Sequence, residues 1–150
     1  MPWDRPQPAP LALWRIIHAN FPQTRNLGIF NPRNIAGTRT PSLHSEGRAL
    51  DIGLFASVTR ERTIADLLFG DFAEIGVLLQ LEELIWNHQI WSDSRRYIHP
   101  YTGVNPHTDH IHVGFTRAGS QQQDFPVLMV RVGIIQTGLG ELDRANANRA

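Results

Sequence analysis

Ser42-Leu43-His44-Ser45-Glu46-Gly47-Arg48-Ala49-Leu50-Asp51 and, further on, His107-Thr108-Asp109-His110-Ile111-His112 are the stretches whose reading decides the fold. The first sets an imidazole and a carboxylate seven residues apart, and the second holds three imidazoles in an H-x-x-H-x-H pattern. Side chains alternate faces along a strand. Written as a strand, Arg48 to Leu54 puts Leu50, Ile52 and Leu54 on an apolar face and Ala49, Asp51 and Gly53 on the other. Ile111 to Phe115 repeats the design, with Ile111, Val113 and Phe115 opposite His110, His112 and Gly114. Paired in one sheet, the two strands share a core face and a polar face. Seven is an odd spacing, so His44 reaches the face of Asp51 only from a loop that turns at Gly47 before the strand begins.

Side chains of these types bind metals or move protons. Two imidazoles and one carboxylate leave a fourth tetrahedral position open to water, the ligand count of a catalytic zinc site. The chain has no cysteine, which excludes a Cys-type structural zinc. Several polar groups gathered on otherwise apolar strands are not explained by packing alone.

Ser42-x-His44-x-x-Gly47-x-Ala49-x-Asp51 followed by His-x-His on a strand resembles the superfamily uniting lysostaphin, the zinc D-Ala-D-Ala peptidases and hedgehog, over roughly residues 27 to 116. The resemblance implies one zinc ion held by His44, Asp51 and His112, with His110 beside it. At the position of His107 the carboxypeptidase branch has a glutamate base and the murein endopeptidase branch a histidine, so the chain leans toward the endopeptidase. An arginine upstream of the first motif points into the cleft in that superfamily; Arg33 or Arg39 fills the role, with Arg33 preferred. The implied fold is α+β, a small central antiparallel sheet with flanking helices and the zinc site on one face.

The implied activity is a zinc metallopeptidase that hydrolyses a peptide bond in the stem or cross-link peptides of bacterial peptidoglycan, as a phage lysin or a secreted antibacterial effector. In that chemistry zinc acidifies its water and polarises the scissile carbonyl. His107 serves as the general base, and His110 and Arg33 stabilise the developing oxyanion. Asp109 orients an imidazole, and Ser42, Arg39, Trp91 and Tyr101 support the site or meet substrate. In a rival assignment His110 is a further ligand, making a more closed site. Two other classes stay open: a catalytically weak zinc-containing binding module of hedgehog type, and an interaction domain with a structural zinc.

The remaining segments read as scaffold. Pro10 starts a helix to about Asn20, with Leu11, Leu13, Trp14, Ile17 and His18 on one face. Leu27 to Phe30 is a short strand. Thr59 caps a helix through Phe69, Gly70 separates it from a second, and Asp71 caps that one through Leu81, with Phe72, Ile75, Leu78 and Leu79 packing inward. Leu84 to Trp91 is a strand or hairpin, and Ser92 to Pro106 a loop in which Tyr97 and Tyr101, with Trp86 and Trp91, are candidates to wall a groove. Val127 to Ile135 is too apolar to stay exposed and forms a strand or helix against the core, or an oligomer contact. Asp143 to Ala150 reads as frayed.

One domain is expected for 150 residues, of which 41% are hydrophobic. Fourteen basic residues, all arginine, balance fourteen acidic ones, which argues against nucleic acid or an anionic membrane as the main partner. The stretch Met1 to Pro10 lacks the pattern of a signal peptide, and no apolar run approaches the roughly 18 residues of a membrane span. A chain acting on the cell wall is then expected to leave the cytoplasm by release or a non-classical route, or to have had a signal removed before this numbering begins.

Overall fold

The computed structural model describes residues 3–149. Six strands, β1 (Arg25–Asn26), β2 (Ala49–Gly53), β3 (Leu81–Trp86), β4 (Gln89–Ser92), β5 (His99–Pro100) and β6 (His110–Phe115), form one sheet in the order β1-β2-β6-β3-β4-β5. Every pairing is antiparallel. Three helices, α1 (Pro8–Asn20), α2 (Thr59–Glu74) and α3 (Pro126–Arg149), complete the architecture, giving the α+β class expected from the motifs.

The period-2 pattern is realised in full. Asp51 sits directly across from His112, and Ile52 across from Ile111. Leu50, Ile52 and Leu54 join Ile111, Val113, Phe115, Leu84 and Trp86 in one buried cluster with Leu13 and Ile17 of α1, Ile64, Leu68 and Phe72 of α2, and Leu128, Val132 and Ile135 of α3. Burial of these apolar surfaces at roughly 25 cal/mol per Å² is the main force holding the helices to this face. The opposite face, bearing Asp51, His110 and His112, is left for the loops.

Several elements differ from expectation. Helix α1 begins at Pro8, so both prolines occupy its first turn, where no N–H partner is needed. The strand expected over Leu27 to Phe30 is instead β1 at Arg25–Asn26, because Gly28, at φ +129°, turns the chain out of the extended region. The two helices expected around Gly70 are one, α2, since Leu68, Phe69, Phe72 and Ala73 bury across the glycine and carry the helix past it. Its N-cap is Val58, not Thr59, and no strand or helix covers residues 75–80. Leu78 is exposed while Phe72, Ile75 and Leu79 are buried. Residues 84–91 are a hairpin, β3 with β4, turned by Asn87 and His88, both at positive φ.

The apolar run at 127–135 lies within α3, whose Leu128, Val132, Ile135 and Leu139 face the core. The helix continues through Arg149, where fraying was expected, and Arg60 holds Asp143 with two hydrogen bonds of 3.0 Å. Ala150 lies outside the described residues.

Candidate metal centre

Local structure brings His44 to Asp51. Ser42 Oγ accepts from the His44 backbone N–H at 3.2 Å and caps a short 3₁₀ turn, Leu43–Glu46. Gly47 ends that turn in the left-handed region at φ +70°, where a Cβ would collide with the Arg5 backbone carbonyl. The chain then enters β2. The odd spacing between His44 and Asp51 is absorbed by this turn.

His44 Nε2 lies 3.0 Å from Asp51 Oδ1, His112 Nδ1 lies 3.2 Å from the same oxygen, and the two nitrogens are 3.3 Å apart. All three side chains are buried. Ligands about 2.0–2.2 Å from a tetrahedral ion stand roughly 3.3–3.5 Å from each other, close to the edges of this triangle. The donors also have the right chemistry. His44 Nδ1–H donates to the Ile29 carbonyl at 2.9 Å, which turns Nε2 toward the Asp51 carboxylate oxygen. Nitrogen and oxygen atoms that converge in this way are held together by a proton or a cation between them. The group fits a metal ion.

In the metal-free chain, protons take that place. Burial by itself raises the Asp51 pKa, but hydrogen bonds from His112 and His44 outweigh it and hold the carboxyl far below its usual range. Burial opposes charge on His112 as well, yet its bonds to Asp51 and Glu83 raise it to about 10. His112 thus bridges two carboxylates, as an imidazolium does.

His44, Glu83 and His112 line a cleft of about 380 Å³. Its walls are the loop bearing Arg33, Ile35 and Thr38 and the loop from Tyr101 to Asn105, closed by His107 and His110. Arg33 reaches in, its Nη2 3.9 Å from Asp51 Oδ2. Arg39 is exposed, is not part of the cleft wall, and does not join the site. His110 Nε2 is 3.6 Å from Asp51 Oδ1, and its Nδ1–H donates to Asp109 at 2.7 Å.

His107 is held hard. Its φ is +57°, costly for a residue with a Cβ. The hairpin tip supports it, with Asn87 N–H donating to the His107 carbonyl and His88 N–H to that of Pro106. The ring Nδ1–H donates to the Asn105 carbonyl at 2.6 Å, and Tyr101 meets the ring edge-on at 5.4 Å. Burial, with positive charge on His112 and His110, lowers its pKa to about 4. The ring is neutral at neutral pH.

One expected site residue needs correction, and one residue that was not expected has to be added. Trp91 is buried in the core beside Gly76, on the face opposite the cleft, because it pairs with Leu84 and shares its side of the sheet. Trp86 is likewise core, its Nε1–H donating to Asp66, and Tyr97 is exposed beside His99. The residue missed is Glu83, whose Oε1 accepts from His112 Nε2–H at 2.8 Å and which lines the cleft. Its signal was a carboxylate on the polar side of Leu84 and Trp86 in an interior strand.

Among the described residues, no helix is long and apolar enough to cross a membrane. No curated protein and no solved structure matches the chain significantly. A family model described as the VldE C-terminal domain matches residues 3–112, from before α1 to the last residue of the His-Asp-His group. That match spans well over half of the sequence, and the chain belongs to the VldE C-terminal domain family.

Proposed function

We propose that the chain is a zinc-dependent peptidase that cuts a peptide bond in the stem or cross-link peptides of bacterial peptidoglycan, an endopeptidase in preference to a D,D-carboxypeptidase. The observation that carries this reading is the three-donor triangle of His44, Asp51 and His112, whose two imidazoles line a cleft together with a neutral His107. Three protein donors and an accessible fourth position are what catalytic zinc sites have in common. The wall polymer as substrate rests on the likeness of the two motifs to the lysostaphin, D-Ala-D-Ala peptidase and hedgehog superfamily. Zero net charge supports a partner that is neither nucleic acid nor an anionic membrane.

Zinc, when bound, supplies an acidified water and polarises the scissile carbonyl. His107 takes a proton from the attacking water and returns it to the leaving amine, because Asn105 holds its Nδ1–H and leaves Nε2 as the acceptor. His110, fixed by Asp109, and Arg33 at the cleft wall place positive or donor groups where the carbonyl oxygen gathers charge. The site then works outside the cytoplasm, on the wall.

Zinc content measured together with turbidity of a purified cell-wall suspension tests this. Stoichiometric zinc with clearing is expected. Zinc without clearing would replace the peptidase by a binding module of hedgehog type.

A further inference from the structure

Glu83 lies in β3, an interior strand, with its side chain three quarters buried. A carboxylate in such a place is costly unless it is bonded, and its bond runs diagonally across the sheet to His112 on β6. The residue directly opposite Glu83 is Gly114. A Cβ there would stand 2.5 Å from Leu43 Cδ1, 3.3 Å from Glu83 Cγ and 3.4 Å from His112 Nε2, so the glycine leaves the room in which carboxylate and imidazole meet.

A neutral imidazole carries one proton, and the nitrogen that holds it decides which nitrogen offers a lone pair. His112 turns Nε2 to Glu83 and Nδ1 to His44 Nε2 and Asp51 Oδ1. We infer that Glu83 is a positioning residue for the metal, fixing His112 in the Nε2–H tautomer and in the ring orientation that aims Nδ1 into the donor triangle. His44 is fixed in the same way by a neutral acceptor, the Ile29 carbonyl. Of the two donor histidines only His112 has a charged one, which strengthens its nitrogen as a donor to a cation. With Asp51 and Glu83 both ionised, a divalent ion balances these two buried carboxylates.

This rests on the metal reading of the site but not on the peptide substrate, so its test needs no turnover. The full chain and its Glu83→Gln and Glu83→Ala variants are titrated with zinc and with Co(II) against a chromophoric chelator, recording the Co(II) absorption band and Tm. Glu83→Ala is expected to weaken binding 10- to 100-fold, the usual worth of such a partner, and to alter the Co(II) band. Glu83→Gln, which keeps an oxygen acceptor at the same reach, is expected to keep more affinity than Ala. A purely structural Glu83 would lower Tm and leave affinity and band unchanged, overturning the inference. Equal losses in Gln and Ala would overturn it too. If the Ala variant fails to fold, Glu83→Asp replaces it, and Asp binding as tightly as Gln is then the overturning result. Absence of metal uptake by the unsubstituted chain would overturn the metal reading itself and this inference with it.

Discussion

The two faces of β2 and β6 are built from alternate residues of the same strands, yet they obey different physics. On one, Leu50, Ile52, Ile111, Val113 and Phe115 expose no surface and pack under three helices. On the other, His110 and His112 line a cleft walled by loops, with Asp51 against both of them. The core face depends on area, which is non-directional and tolerant of repacking. The site face depends on where lone pairs point, and a ring turned the wrong way is as damaging as a ring removed. Stability and the metal binding proposed for the site are therefore expected to be separable within a span of two residues.

Substitution on each face breaks the comparison most sharply. His44→Ala, Asp51→Ala and His112→Ala are each expected to lose most of the bound zinc while the chain stays folded, read by metal analysis and circular dichroism. Phe115→Ala is expected to cost roughly 3–5 kcal/mol of stability, read by denaturant unfolding, with zinc stoichiometry retained. Retention of zinc in all three site variants, or its loss in Phe115→Ala while folded, would erase the distinction.

His107 divides the site face itself. His107→Ala is expected to keep zinc and fold and to lose on the order of a hundredfold in rate, measured as peptide release from cell wall. Loss of metal along with rate would make it a ligand.

The faces also differ in their response to pH. In chelator, His112 has a pKa raised to about 10 against an ordinary 6.5, so its contribution is full below pH 6.5 and is lost as pH rises through about 10. His107 has a pKa lowered to about 4, so the unfolded chain binds more protons between pH 4 and 6.5, and stability falls as pH falls through that window. Tm against pH should lose much of its alkaline slope in His112→Ala and much of its slope between pH 4 and 6.5 in His107→Ala. Phe115→Ala should shift the whole curve down without changing either.

Much of this contrast was legible in the sequence because alternation is local. Leu50-Asp51-Ile52 and Ile111-His112-Val113 display both faces within three residues, and Gly47 marks the turn that brings His44 round. What escaped detection depends on partners far along the chain. Glu83 is one acid among fourteen until β3 is laid beside β6. Trp91 read as a groove aromatic because its exposure is set by its register with Leu84, which no local pattern reveals. Gly70 read as a break, yet its neighbours' burial outweighs a propensity cost of about 1 kcal/mol. Arg33 and Arg39 look alike in sequence, and only the loop's path separates them. Arg39→Ala, at an exposed position outside the cleft, is accordingly expected to have the smallest effect, with zinc binding and rate within about twofold of the parent chain.

Mass analysis of muropeptides from purified peptidoglycan incubated with the zinc-loaded chain tests the central claim most directly. The account predicts fragments in which one stem or cross-link peptide bond has gained a water, absent when zinc is removed by chelation or when Asp51 is replaced by alanine. An unchanged muropeptide profile from a chain carrying stoichiometric zinc would contradict it.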